Sequence, residues 1–303
     1  MLKPSAFAHP RYWPTWLALA LLWLLSWLPL AITALLGAGI GTLLYLLHAP
    51  RRRIVHTNLE RCFPELTRAE RRRIACAHFR GVGRAVFDSA IAWWAPAWRL
   101  RRLVRLRGRE YLERALREKR NLILLAPHFL GLDVGGMRVC MDIPVVSVFR
   151  HTNNKLVSWA MQRGRTRMGA TLVEHNKPFT TLVRAVKSGQ PLYYLPDQDA
   201  GRRNAIFAPF FGIPAATFSV LGRLADMTDA VVIPMISIQR PWGLGYEVNF
   251  LPPLDKFPTG DALADTTRMN AEIEKAARRW PSQYFWVHKR FKTRPEGEPR
   301  FYE

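Results

Sequence analysis

Acidic residues are scarce in this chain: 23 Asp and Glu stand against 45 Lys and Arg in 303 residues, a formal net charge of +22. Such an imbalance calls for an anionic neighbour, whether nucleic acid, an anionic membrane face or a phosphorylated substrate. Cysteine is nearly absent. Cys62, Cys76 and Cys140 show no paired spacing, which excludes a disulfide frame and fits a reducing compartment. No cluster at metal-ligand spacing and no glycine-rich phosphate loop occurs, so neither a metal nor any other cofactor is expected. Repeats and low-complexity linkers are missing too, and with 49% hydrophobic residues a disordered or fibrous chain is excluded.

The sharpest absence is local. From Tyr12 to Leu47 no Asp, Glu, Lys, Arg or His interrupts 36 residues. About 20 apolar residues cross a bilayer, so this stretch reads as an N-terminal transmembrane helix; a cleavable signal peptide would have a shorter apolar region ending in a small-residue cleavage site. Pro29 and the "GAGIG" at 37–41 are expected to bend or break the helix, leaving part of it in the interface. "RRR" at 51–53 outweighs Lys3 and Arg11, which predicts a single-pass protein with everything after Pro50 on the cytoplasmic side.

Beyond the anchor the charge is concentrated: residues 51–120 hold 20 Lys and Arg against 7 Asp and Glu. Juxtamembrane basic residues contribute about 1 kcal/mol each against an anionic leaflet. A nucleic-acid arm is the competing explanation, but no nucleic-acid motif is present, and "AVFDSAIAWW" at 85–94 has the apolar density of a helix meeting core or lipid. Nucleic acid is therefore not an expected partner.

Past residue 105, helix-like and strand-like segments alternate: "REYLERALREK", "NLILLA", "NKLVSWAMQRGRTRMG", "ATLVE", "FTTLVRAVKSG", "QPLYYLP", "FSVLGRLADMTD" and "AVVIPMISIQ". This alternation predicts an α/β sandwich around a mostly buried mixed sheet. Residues 1–50 are read as the membrane anchor and 51–303 as one catalytic domain.

Within "NLILLAPHFLGLDVGG", His128 and Asp133 are five residues apart, about 140° around a single helix and unable to pair there. If Pro127 ends a strand, Gly131 supplies a turn and Asp133 begins a helix, the carboxylate can fold back toward the imidazole. Strand-to-helix corners gather active-site groups in such sheets. His would then take a proton from an attacking hydroxyl while Asp orients the ring. An H-x-x-x-x-[DE] spacing arises by chance roughly 0.6 times in a chain of this composition, so only its context gives it weight.

That context is a set of stretches in fixed order: "APHFLGLD", "VFRHTNN" at 148–154, "QRGRTR" at 162–167, "YYLPDQDAG" at 193–201, "FAPFFGIPAAT" at 207–217 and "QYFWVHKRFKTRPEGEP" at 283–299. With the hydrophobic N-terminus, they resemble the lipid A late acyltransferases of Gram-negative envelopes along nearly the whole chain; the His-x-x-x-x-acid box alone is shared with the wider glycerolipid acyltransferases. The resemblance implies a glycerolipid-acyltransferase-like fold and an inner-membrane enzyme working at the cytoplasmic face. Its activity would move a fatty acyl chain from acyl carrier protein to a hydroxyacyl chain of a lipid A precursor, a bisphosphorylated disaccharide lipid. The family's dyad falls on His128 and Asp133, and its phosphate-facing positions on Arg150, Arg163 and Arg165. Two departures stand out: the acid is often Glu in the family, and its usual Arg-Pro is here Arg150-His151.

Arg163 and Arg165, two apart, would point about 200° from each other on a helix, so one phosphate cannot hold both. Asp197 and Asp199 in "PDQD" are candidates for the substrate site, either orienting basic groups or capping the next segment. His288 reads as structural, and Lys289, Arg290 and Arg294 stand next in line as phosphate ligands. Two other functions remain open: an acyltransferase of the same fold acting on a lysophospholipid or another glycolipid, and a non-catalytic basic scaffold at the membrane. The scaffold requires His128 to have neither a partner nor an adjoining cavity.

Overall fold

The computed structural model describes residues 4–203 and 205–302. The uncharged stretch folds as two helices, α1 (Trp13–Leu25) and α2 (Leu30–Leu47). Pro29 makes the break expected of it, standing as the non-helical N-cap of α2. The glycines at 37–41 do not: α2 runs through them, because they serve packing instead of bending. After α3 (Ala49–Cys62) comes the long α4 (Arg68–Trp94), opened by a capping box between Thr67 and Glu70. A Cβ at Gly83 of α4 would strike the Gly37 carbonyl and the backbone of Gly41, so the two helices meet backbone to backbone. The outer side of α2 is bare, with Leu35 and Leu47 largely exposed. Among the described residues α2 is the one helix long and apolar enough to cross a membrane; the 13 residues of α1 reach only about 20 Å.

The rest is a mixed α/β unit. In chain order follow α5 (Ala97–Leu103), β1 (Val104–Arg107), α6 (Arg109–Arg117), β2 (Asn121–Leu125), α7 (Leu132–Cys140), β3 (Val146–Phe149), α8 (Lys155–Thr166), β4 (Thr171–Glu174), α9 (Phe179–Lys187) and β5 (Leu192–Tyr194). A separate hairpin, β6 (Ala205–Phe210) and β7 (Ile213–Phe218), turns through Phe211 and Gly212, both at positive φ. Then come α10 (Val220–Thr228), β8 (Ala230–Gln239), β9 (Tyr246–Phe250) and α11 (Ala262–Arg279). Seven strands form the central sheet in the order β1-β9-β8-β2-β5-β3-β4, parallel except between β8 and β9.

Strand β2 shows why the expected greasy run is buried on both sides. Ile123 and Leu125 enter one apolar layer, Leu122 and Leu124 the other. Helix α4 is fastened to the sheet by a buried carboxylate: Asp88 accepts hydrogen bonds from Gln239 Nε2 and from the Tyr246 hydroxyl, each at 2.6 Å. Burial pushes the Asp88 carboxyl up to about 6.

Candidate active site

Two neighbouring parallel strands end level with each other, Leu125 of β2 opposite Tyr194 of β5. Each continues through one residue and a proline, which cannot donate to a ladder, and then presents a polar side chain: His128 after Pro127, Asp197 after Pro196. The two side chains meet. His128 Nδ1 lies 2.7 Å from Asp197 Oδ1, and the His128 backbone N–H donates to Asp197 Oδ2 at 2.8 Å. A carboxylate only accepts, so Nδ1 carries the hydrogen, and in the neutral ring Nε2 is the nitrogen left to accept. Burial alone would raise the Asp197 carboxyl, but the charge of His128 and its two hydrogen bonds outweigh burial and hold it below the ordinary range.

The imidazole is braced from behind. Phe285 N–H donates to the His128 carbonyl at 2.9 Å, Leu130 N–H donates to the Gln283 carbonyl at 2.9 Å, and Phe129 bridges to Tyr284. A cavity of about 10 Å³, room for one water, adjoins His128 and is lined also by Asp197, Tyr284 and His288. A scaffold without a partner or a cavity at His128 is thereby excluded.

The expected pairing of His128 with Asp133 is corrected. Asp133 does sit in the first turn of α7, after the Gly131 turn, but its carboxylate accepts from Arg165 at 2.7 Å and from the Ser89 hydroxyl at 3.2 Å. The reason is packing: α7 is wedged between α4 and the sheet, and α4 also meets α8, so Ser89 of α4 and Arg165 of α8 close on the carboxylate. Asp197 fills the place given to Asp133 because adjacent strand ends face each other. Its own expected role, orienting a basic group, holds for His128 and not for an arginine.

Asp199, an expected substrate-site residue, is bonded within the fold. Its carboxylate takes the Thr293 N–H and hydroxyl, both at 2.8 Å, and the Gly201 N–H, while its own N–H donates to His288 Nε2 at 3.0 Å. Burial pulls His288 down to about 4, keeping it the neutral acceptor this bond needs. Arg290 is also internal: it is buried and donates to the Ala216 carbonyl and the Thr217 hydroxyl of β7. Arg294 donates to the Pro214 carbonyl and pairs with Glu298. Lys289 lies over the Tyr302 ring. Arg290 and Arg294 thus drop out as phosphate ligands, and the C-terminal signature works as a buckle around the Asp197 loop.

The three arginines differ as their spacing requires. Arg150 is exposed just past β3, two strands from β2 and so roughly 10 Å along the same sheet edge. Arg165 is half-buried against Asp133, whereas Arg163 turns outward over the Trp159 ring. His151, in place of the family's proline, lies 3.4 Å from Glu174 at the end of β4.

Residues 2–293 match the family described as bacterial lipid A biosynthesis acyltransferase. A lipid A biosynthesis lauroyltransferase of Escherichia coli (strain K12) is 37% identical over 299 residues, covering 98% of this chain and 97% of that protein. From the same organism, a lipid A biosynthesis palmitoleoyltransferase is 35% identical over 98% of this chain and 96% of its own length, and a lipid A biosynthesis myristoyltransferase 29% over 99% and 93%. A buried acid behind a half-exposed histidine at the carboxyl edge of a sheet, in a chain matched from end to end, leaves one conclusion: the chain belongs to the bacterial lipid A biosynthesis acyltransferase family and is an acyltransferase.

Proposed function

We propose that this acyltransferase carries out a late acylation of lipid A, moving a fatty acyl chain from acyl carrier protein to a hydroxyl on a hydroxyacyl chain of the bisphosphorylated precursor, with His128 as general base. The His128–Asp197 pair carries the reading: a base with its proton-bearing nitrogen fixed by a buried carboxylate and its other nitrogen ready to accept. Nε2 takes the acceptor's hydroxyl proton as the oxygen attacks the thioester carbonyl. The C–O bond forms, the C–S bond breaks, and the departing thiolate collects the proton from the imidazolium. Asp197 stabilises the imidazolium between those two events. The thioester brings its own leaving group, so the reaction calls on no cofactor. The fold is read accordingly as glycerolipid-acyltransferase-like.

Asp133 acts one step removed in this reading, holding Arg165 as a guanidinium for a precursor phosphate, with Arg150 as a second and Arg163 as an outward charge for the acidic donor protein. Residues 1–50 hold the chain at the inner membrane, with 51–303 on its cytoplasmic face; the basic 51–120 region and the bare side of α2 support this.

His128→Ala should lower turnover about 10²–10⁴-fold with a protein that still folds and stays with the membrane. Near-normal turnover in a folded variant overturns the mechanism. Arg165→Gln should raise KM for the acceptor far more than for the donor, and an acceptor stripped of phosphates should erase the difference from the parent protein. An acceptor KM that ignores the loss of phosphates points to a lysophospholipid or another glycolipid instead.

A further inference from the structure

The connection between β8 and β9 is a tight hairpin whose tip is costly in two ways. Trp242 has φ of 53°, a left-handed backbone that bulky residues rarely adopt, and its indole is 87% exposed. Leu244, two residues on, is 60% exposed. The tip is not loose: Arg240 N–H donates to the Gly245 carbonyl at 2.9 Å, Leu244 N–H to the Pro241 carbonyl at 3.0 Å, and the Arg240 guanidinium to the Leu244 carbonyl at 2.7 Å. A glycine or asparagine would suit the backbone better and water would accept it readily. A rigid hairpin that displays the largest apolar side chain is built to meet a non-aqueous phase.

What lies beside it says which phase. Gly243 rests on the backbone of Leu30 and Ala31, at the first turn of α2. Arg84, packed against Gly37 of α2, donates to the Arg240 carbonyl at 3.0 Å. On another side of the α1–α2 turn, Arg99 donates to the carbonyls of Ser26 and Leu28, which fixes the neighbouring Trp98, 63% exposed on α5. Trp27, in the turn itself, is exposed as well. Three tryptophans from three separate parts of the chain therefore ring the turn at one end of the apolar helix, with Arg101 and Arg102 exposed next along α5. Indoles beside guanidiniums at the end of an apolar helix match the headgroup level of an anionic bilayer, where aromatic rings sit and basic residues meet phosphates. Continuity with the bare apolar side of α2 favours lipid over a protein partner.

We propose that the tip of the β8–β9 hairpin, through Trp242 and Leu244, together with Trp98, inserts into the interfacial layer of the same phospholipid bilayer that covers the outer side of α2, giving the catalytic domain its own lipid contact. This rests on the membrane reading above. It goes further by placing part of the sheet domain in the lipid, so that α2 lies along the domain and does not act as a detached tether.

The test uses the full chain in vesicles of phosphatidylethanolamine and phosphatidylglycerol. With Cys76→Ser as background, a polarity-sensitive fluorophore is attached in turn to Trp242→Cys, Trp98→Cys, Leu35→Cys on the bare side of α2, and Lys275→Cys at an exposed position of α11. Spin-labelled lipids should quench the labels at 242 and 98, most strongly with the spin near the headgroup, and leave 275 untouched. Quenching at 35 with 242 and 98 behaving like 275 overturns the proposal while the membrane reading stands. No quenching at 35 either removes both. A label at 242 that ignores lipid but shifts on adding acyl carrier protein, or with rising protein concentration, assigns the tip to a protein surface and also overturns the proposal.

Discussion

The sheet edge where β2 and β5 end and the seam where α2 lies on α4 hold their backbones in opposite ways. At the edge, charge does the holding: two hydrogen bonds tie His128 to a buried Asp197, and the C-terminal segment buckles over both. Along the seam close packing does it: the missing side chains of Gly37, Gly41 and Gly83 let two backbones touch. Positions at the edge should tolerate a change of volume better than a change of charge, and the seam the reverse.

The largest expected effect comes from removing charge without removing volume. Asp197→Asn should cut turnover about 10²–10⁴-fold in a folded protein, because an amide can accept from Nδ1 but cannot stabilise the imidazolium. Asp133→Asn should act mainly by loosening Arg165 and appear as a raised acceptor KM. Equal losses of turnover with an unchanged acceptor KM would restore Asp133 as the partner of His128. Next in size is the seam. Gly83→Ala should destabilise by about 1–3 kcal/mol, seen as a lower Tm in detergent. Gly39→Ala, where an added methyl meets open space on the facing helix α2, should be neutral or slightly stabilising. Equal Tm values for the two variants would show that the helices do not meet at Gly83.

The smallest effect sharpens the buckle. His288 has a folded pKa of about 4 against an ordinary 6.5, so the unfolded chain takes up its proton first as the solution is acidified. Its contribution to stability is complete above pH 6.5 and declines as the pH falls toward 4. His288→Gln, which keeps an acceptor for the Asp199 N–H, should reduce the fall in Tm between pH 7 and pH 4 by a few degrees, about 2–4 °C for each kcal/mol. An unchanged pH dependence would show that His288 does not titrate with unfolding.

Much of the architecture was legible. The strand and helix segments read from residues 109–126 and 154–239 coincide closely with α6, β2, α8, β4, α9, β5, α10 and β8, since their apolar periods are undisturbed. Strands β1, β3 and β9 were not read, although β4 and β5, which are no longer than these, were. The site was half legible. His128 stood out, but its partner was sought five residues away instead of 69. A signal was present all the same: "LAPH" and "YLPD" repeat one pattern, a strand ending in residue-proline-polar, and two such endings on parallel strands bring their polar residues together.

The sequence alone determined the apolar N-terminus, the basic face behind it, the alternating domain and the histidine, because composition and local period need no knowledge of distant contacts. Tertiary structure decided which carboxylate serves that histidine, which arginines remain available to a phosphate, and that "GAGIG" is a packing surface instead of a hinge. Each of those depends on which segments become neighbours in the sheet or along a helix seam, and strand order and close backbone approach are properties of the folded chain that no local stretch of residues contains.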